Sequence, residues 1–134
     1  MNGKFLLDTN IIIALFSGDP GVHERISNAS EVFVPCIAIG ELYFGAHKSS
    51  RPQENHTRIN GFVLDSTVLA CNADTAKRYG DIKNRLKEKG QPIPENDVWI
   101  AALAQQYALT LVSRDTHYNS KGKETVHYCP SYPY

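Results

Sequence analysis

The sequence has one methionine, one tryptophan and only three cysteines, and its 14 basic side chains are matched by 14 acidic ones. Each shortage excludes something. Cys36, Cys71 and Cys129 are odd in number and far apart along the chain, with no Cys-x-x-Cys pair and no His-x-x-x-His partner to complete a zinc site, so they are expected to be reduced packing residues. Zero net charge argues against a protein that grips nucleic acid over its whole surface, while leaving room for a local basic patch. The longest apolar runs, such as Ile11 to Phe16, fall far short of the roughly 20 residues of a membrane span. The opening Lys4-Phe5-Leu6-Leu7 leads into an acid rather than a cleavage site, so a soluble, cytoplasmic protein is expected, with no membrane partner.

What is present suits a globular fold. A chain of 134 residues, 42% hydrophobic and 21% charged, can bury one sizeable core, and a single domain over residues 1–134 is expected. No internal repeat and no linker interrupts it.

Along the chain, short strand signals alternate with helical ones. Lys4-Phe5-Leu6-Leu7 reads as a strand, Asp8-Thr9-Asn10 as a turn whose side chains can accept from free helix amides, and Ile11 to Phe16 as a helix. Glu31-Val32-Phe33-Val34-Pro35 reads as the second strand and Ile37 to Ala46 as a helix. Arg51 to Phe62 reads as an exposed helix, and Asp65 to Leu69 as a brief strand. Asn72 to Lys89 is the clearest helix, with Ala76, Tyr79, Ile82 and Leu86 forming one apolar stripe. Asn96 is expected to cap a helix over Asp97 to Tyr107, and Leu109 to Ser113 forms the last strand. The repeated βα order predicts an α/β fold, a parallel sheet with helices on both faces, where ligands sit outside the carboxyl ends of the strands.

Four acids stand near that edge: Asp8, Glu41, Asp97 and Asp115. Each has a plain structural reading beside a chemical one. Asp8 and Asp97 are placed to cap or complement helix starts, and Asp115 to form a turn beside a salt-bridged Arg114. Glu41 is the only charged residue between Ile37 and Ala46, so it must reach solvent or be offset by a cation. The joint pattern favours chemistry, because carboxylates gathered without balancing Lys or Arg repel one another unless a divalent cation neutralises them. Oxygen donors without His or Cys select magnesium or manganese.

Four motifs occur in order: Leu6-Leu7-Asp8-Thr9-Asn10, the stretch from Pro35 to Ala46 around Glu41, Asn96-Asp97-Val98-Trp99-Ile100-Ala101-Ala102, and Ser113-Arg114-Asp115-Thr116-His117-Tyr118. Together they resemble the PIN-domain family, and within it the VapC-type toxins of toxin–antitoxin pairs. The resemblance implies an α/β/α sandwich, endoribonuclease activity dependent on Mg²⁺ or Mn²⁺, a homodimer, an RNA substrate and inhibition by a cognate antitoxin. It carries catalytic and metal-holding roles onto Asp8, Glu41 and Asp97, with Asp115 at a fourth position that varies in relatives. Thr9 and Ser113 match small hydroxyl positions beside the site, suited either to orienting an acid or to ordinary turn and strand-end chemistry.

The helix from Asn72 to Lys89 carries Lys77, Arg78, Lys83, Arg85, Lys87 and Lys89 against Asp74, Asp81 and Glu88, a backbone-binding face or simply a solvated one. Cys36 stands where relatives often have a small hydroxyl or alanine, which predicts a weak cap on the helix holding Glu41. The tail Tyr128 to Tyr134 matches nothing interpretable. Ile11, Ile12, Leu15, Phe16, Tyr43 and Phe44 are assigned to the core by default, although they also suit a dimer or antitoxin surface. A phosphatase-like reading of Asp8 is disfavoured, because the position two residues on is Asn10 rather than a second Asp. The alternative from another class is a non-catalytic RNA- or protein-binding module on the same fold.

Overall fold

The computed structural model describes residues 3–114 and the strand at 125–128. Its elements follow the alternation read from the sequence. β1 (Lys4–Leu7) lies at the centre of the sheet, with β2 (Glu31–Pro35) and then β3 (Thr67–Leu69) on one side, and β4 (Thr110–Ser113) and then β5 (Thr125–Tyr128) on the other. The first four strands run parallel, with Leu6 opposite Phe33 and Leu111, and Leu7 opposite Val112. β5 pairs antiparallel with β4, Thr110 opposite Tyr128. The sequence reading contained no such strand, and the rest of the uninterpreted tail lies outside the described residues.

Alternation along the strands divides the core in two. Leu6 and Leu111 belong to a cluster with Ile82, Leu86, Ile100 and Leu103, contributed by α5 (Ala73–Glu88) and α6 (Glu95–Gln106). The neighbouring Leu7, Val34 and Val112 face the opposite way, into a cluster with Ile11 and Ile12 of α1 (Thr9–Phe16), Val22 of α2 (Pro20–Ser27), Ala38 and Leu42 of α3 (Cys36–His47), and Ile59 of α4 (Pro52–Leu64). Helices therefore cover both faces, which is the α/β/α arrangement expected. Each large apolar side chain taken fully out of water contributes about 1.5–3 kcal/mol.

Several local expectations are corrected. α2 was not anticipated, although Asp19-Pro20 is an N-cap followed by a proline at the first helical position, and the Asp19 carboxylate does accept from Val22 N at 3.1 Å. α6 starts at Glu95 after Pro94, which supplies no side-chain cap, so Asn96 lies inside the helix rather than capping it. In α5 Ala76 is exposed and Thr75 is buried instead, because Thr75 closes a reciprocal cap with Asn72. Ile11 and Ile12 are core, but Phe44 is 63% exposed, with the Lys48 ammonium over its ring. α3 starts without a side-chain cap, in keeping with the weak entry expected at Cys36. Among the described residues no helix is long and apolar enough to cross a membrane.

Candidate active site at the carboxyl edge of the sheet

β1 and β4 end side by side, and the register that pairs Leu7 with Val112 brings Asp8 next to Ser113. The Asp8 backbone N–H donates to the Val112 carbonyl at 3.0 Å, continuing the ladder one residue past the strand. Asp8 is then the N-cap of α1, one carboxylate oxygen accepting from Thr9 N at 2.8 Å. The other oxygen accepts from the Ser113 hydroxyl at 2.6 Å, within a buried contact. An Asp that is only 3% exposed is thereby fixed by two donors on two elements.

Glu41 reaches the same edge from α3, which starts where β2 ends and runs back across the sheet. The Thr9 hydroxyl donates to its Oε1 at 2.8 Å. Ser113, Asp8, Thr9 and Glu41 thus form one set, drawn from β4, the β1–α1 turn, α1 and α3. Asp97 lies in the first turn of α6, the helix that precedes β4. Asp97 is 8% exposed there, beside helix-start amides that favour an anion. Asp115 lies outside the described residues.

The donor set is oxygen throughout, with no His or Cys in it, which fits Mg²⁺ or Mn²⁺ in kind better than zinc. Among the described residues no three acidic, His or Cys side chains close on a single point as a cage for an ion. The chemistry this edge offers is a buried aspartate and a half-buried glutamate presented on rigid elements, with a hydroxyl orienting each.

Two neighbours went unrecognised in the sequence. Arg114 donates through its backbone N–H to Asn10 Oδ1 at 3.2 Å and through its guanidinium to Asp19 Oδ2 at 2.5 Å, tying the end of β4 to α1 and to the cap of α2. The Arg114 hydrogen bond, helped by the Val22 N–H, holds the Asp19 carboxyl below its ordinary value. The sequence reading gave Arg114 a salt bridge but no partner for it. The second neighbour is an open groove of about 440 Å³ between α1, α3 and α4, lined by Ile13, Phe16, Glu41, Leu42, Arg58 and Ile59. Arg58 lies over the Phe16 ring and donates to the Phe16 carbonyl. The basic α5 is partly consumed by pairing: Arg78 meets Asp74, and Lys83 meets Glu95. Tyr79 stacks on Trp99 with ring centroids 4.2 Å apart, packing α5 against α6.

A family model, the PIN domain, matches residues 5–124. The chain belongs to the PIN-domain family. Its relatives are VapC proteins. It is 39% identical over 114 residues to Ribonuclease VapC2 of Haemophilus influenzae, covering 84% of this chain and 86% of that protein. It is 36% identical over 115 residues to the tRNA(fMet)-specific endonuclease VapC of Shigella flexneri, covering 84% and 87%. Among solved structures, DNA-bound VapBC from Salmonella typhimurium superposes with a TM-score of 0.77 at 32% identity, over 87% of this chain and 89% of that one. VapBC-1 from nontypeable Haemophilus influenzae gives 0.75 at 32% identity, over 89% of each chain. This PIN domain thus shares both sequence and fold with VapC proteins over nearly all of their length.

Proposed function

We propose that this chain is a metal-dependent endoribonuclease, the toxin of a type II toxin–antitoxin pair, with Asp8, Glu41 and Asp97 holding Mg²⁺ or Mn²⁺ and Asp115 assisting. The observation that carries the reading is the hydrogen-bonded set Ser113–Asp8–Thr9–Glu41 at the carboxyl edge of a PIN fold. Relatives named ribonuclease and endonuclease support the reaction class. When bound, the ion supplies a nucleophilic water at neutral pH and stabilises charge on the phosphate. The protein's own part is orientation. Ser113 and the Thr9 amide fix the two Asp8 oxygens, the Thr9 hydroxyl fixes one Glu41 oxygen, and the burial of Asp8 and Asp97 restricts their rotamers and excludes water.

The partner expected on this reading is a cognate antitoxin, because the solved relatives are VapBC complexes. The apolar groove that Glu41 helps to line offers such a protein a seat next to the acids it would silence. A homodimer and a cytoplasmic setting belong to the same proposal.

The test is cleavage of a mixed RNA panel by the purified chain with Mg²⁺, with Mn²⁺ and with chelator, alongside Asp8→Asn and Asp97→Asn. Metal-dependent cutting that both substitutions abolish supports the reading. Cutting that survives them assigns the activity to another site or to a contaminant. A properly folded chain that binds RNA or a protein partner but cuts none of the panel is instead a non-catalytic module.

A further inference from the structure

Cys36 and Cys71 are separated in the chain by α3, α4 and β3, yet the sheet brings them together. β2 and β3 run parallel with Pro35 opposite Leu69. One step beyond that pair, Cys36 opens α3 while Ala70 and Cys71 lead towards α5. Leu69 and Cys71, two residues apart, pack against the same core cluster, as alternate positions of an extended segment do. Both cysteines are free and half-buried, and Cys36 is one of the groups that act on the Cys71 thiol. Nothing in the acidic site uses either of them.

We infer that Cys36 and Cys71 are a redox-responsive pair that closes to an intramolecular disulfide when the protein meets hydrogen peroxide. The Cys36 thiolate attacks one peroxide oxygen, the O–O bond breaks, and the departing hydroxide takes a proton to leave as water, with Cys36 now a sulfenic acid. The Cys71 sulfur attacks that sulfur, the S–S bond forms, and the S–O bond breaks. The hydroxyl then leaves with the Cys71 proton as a second water. Two thiols lose two electrons in all, and one peroxide is reduced to two waters. Burial, and then the adjacent Cys36, push the Cys71 thiol up to about 11, which suits it to the resolving rather than the attacking role. The bond would tie the uncapped first turn of α3, the helix that carries Glu41, to the entry of α5.

The experiment treats the full chain carrying Cys129→Ser with hydrogen peroxide under native conditions, then alkylates it and measures intact mass and cross-linked peptides. The expected product has lost two hydrogens, yields one peptide pair joining Cys36 to Cys71, and returns to two alkylatable thiols with dithiothreitol. Cys36→Ala on the same background abolishes the cross-link, and the thermal midpoint rises on oxidation only where both thiols are present. Two thiols that remain alkylatable in the folded chain after peroxide overturn the inference. So does a bond that forms only in urea, or one that joins two chains. Because the first readout uses the chain with both thiols intact, a poorly folded alanine variant does not obscure the outcome.

Discussion

The hydroxyl of Ser113 donates to the Asp8 carboxylate at 2.6 Å, across the seam between β1 and β4 and away from solvent. Replacing Ser113 by Ala leaves an acceptor on a buried charge short of a donor. The expected cost is about 1–3 kcal/mol of stability, read from urea unfolding. On the ribonuclease reading, cleavage falls roughly 10–100-fold through a misplaced Asp8, as for other residues that orient an ion's ligands. Ser113→Thr, which keeps the hydroxyl, recovers activity ahead of stability, because the added methyl must fit a fully buried position.

Thr9 tests positioning with less risk to the fold. Thr9→Val keeps the shape and removes only the bond to Glu41, which is half-buried. Stability is expected to change by no more than about 1 kcal/mol, while RNA cleavage drops about tenfold at saturating metal and Thr9→Ser restores it. Equal cleavage by Thr9→Val and the parent chain would leave Glu41 without need of orientation.

The groove beside Glu41 is open to a point substitution that the fold tolerates. Ile13 lines it and is 52% exposed. On the toxin–antitoxin reading, Ile13→Asp should weaken capture of the cognate antitoxin at least tenfold in titration calorimetry, since a charge must then be desolvated against an apolar partner. RNA cleavage by the free chain should stay within a factor of two to three.

Asp19 sets an acid limb. Its carboxyl in the folded chain lies below the ordinary 3.8, chiefly through Arg114. The pairing therefore contributes stability above that ordinary value, and the contribution is lost as pH falls through the lowered folded value. Urea midpoints of the parent chain and Asp19→Asn should differ near neutrality and converge as pH drops below about 4. A constant gap across that range would assign the difference to the α2 cap alone.

The two core clusters should respond as packed interiors do. Leu111→Ala, at 0% exposure, should cost about 2–5 kcal/mol, whereas Leu64→Ala, at 86% exposure, should fall within about 0.5 kcal/mol. Thermal or urea denaturation of the pair distinguishes a buried β4 from one that is merely tethered.

How far residue patterns carried the description depended on range. The strands before Asp8 and at Leu109 to Ser113, and the amphipathic α5, follow from local periodicity, which is short-range information. Asp8 and Asp97 were legible as acids at helix starts, but their contacts were not. The Ser113 bond joins residues 105 positions apart, and the Thr9–Glu41 bond spans 32, so both depend on register that no local window contains. α2 was missed because its apolar side chains are few, its mean hydropathy is low and only Val22 is buried, although the Asp19-Pro20 start was there to be seen. β5 was missed although Thr125-Val126-His127-Tyr128 alternates polar and apolar residues, because the run is only 4 residues long and leads straight into Cys129-Pro130. The nearness of Cys36 to Cys71 was hidden for the same reason as the Ser113 bond: it arises only once β2 and β3 pair.

That Asp8 is held by a residue 105 positions further along has a bearing on how the protein is made. Asp8 leaves the ribosome 105 residues ahead of Ser113. At synthesis rates of about 5–20 residues/s, roughly 5–20 s separate the two events. Throughout that interval the nascent chain carries the acid without the hydroxyl that fixes it and without the β4 strand that buries it. A fragment that stops before β4 lacks both the Ser113 hydroxyl and the strand beside Asp8, so whatever chemistry the edge performs is withheld from products terminated there.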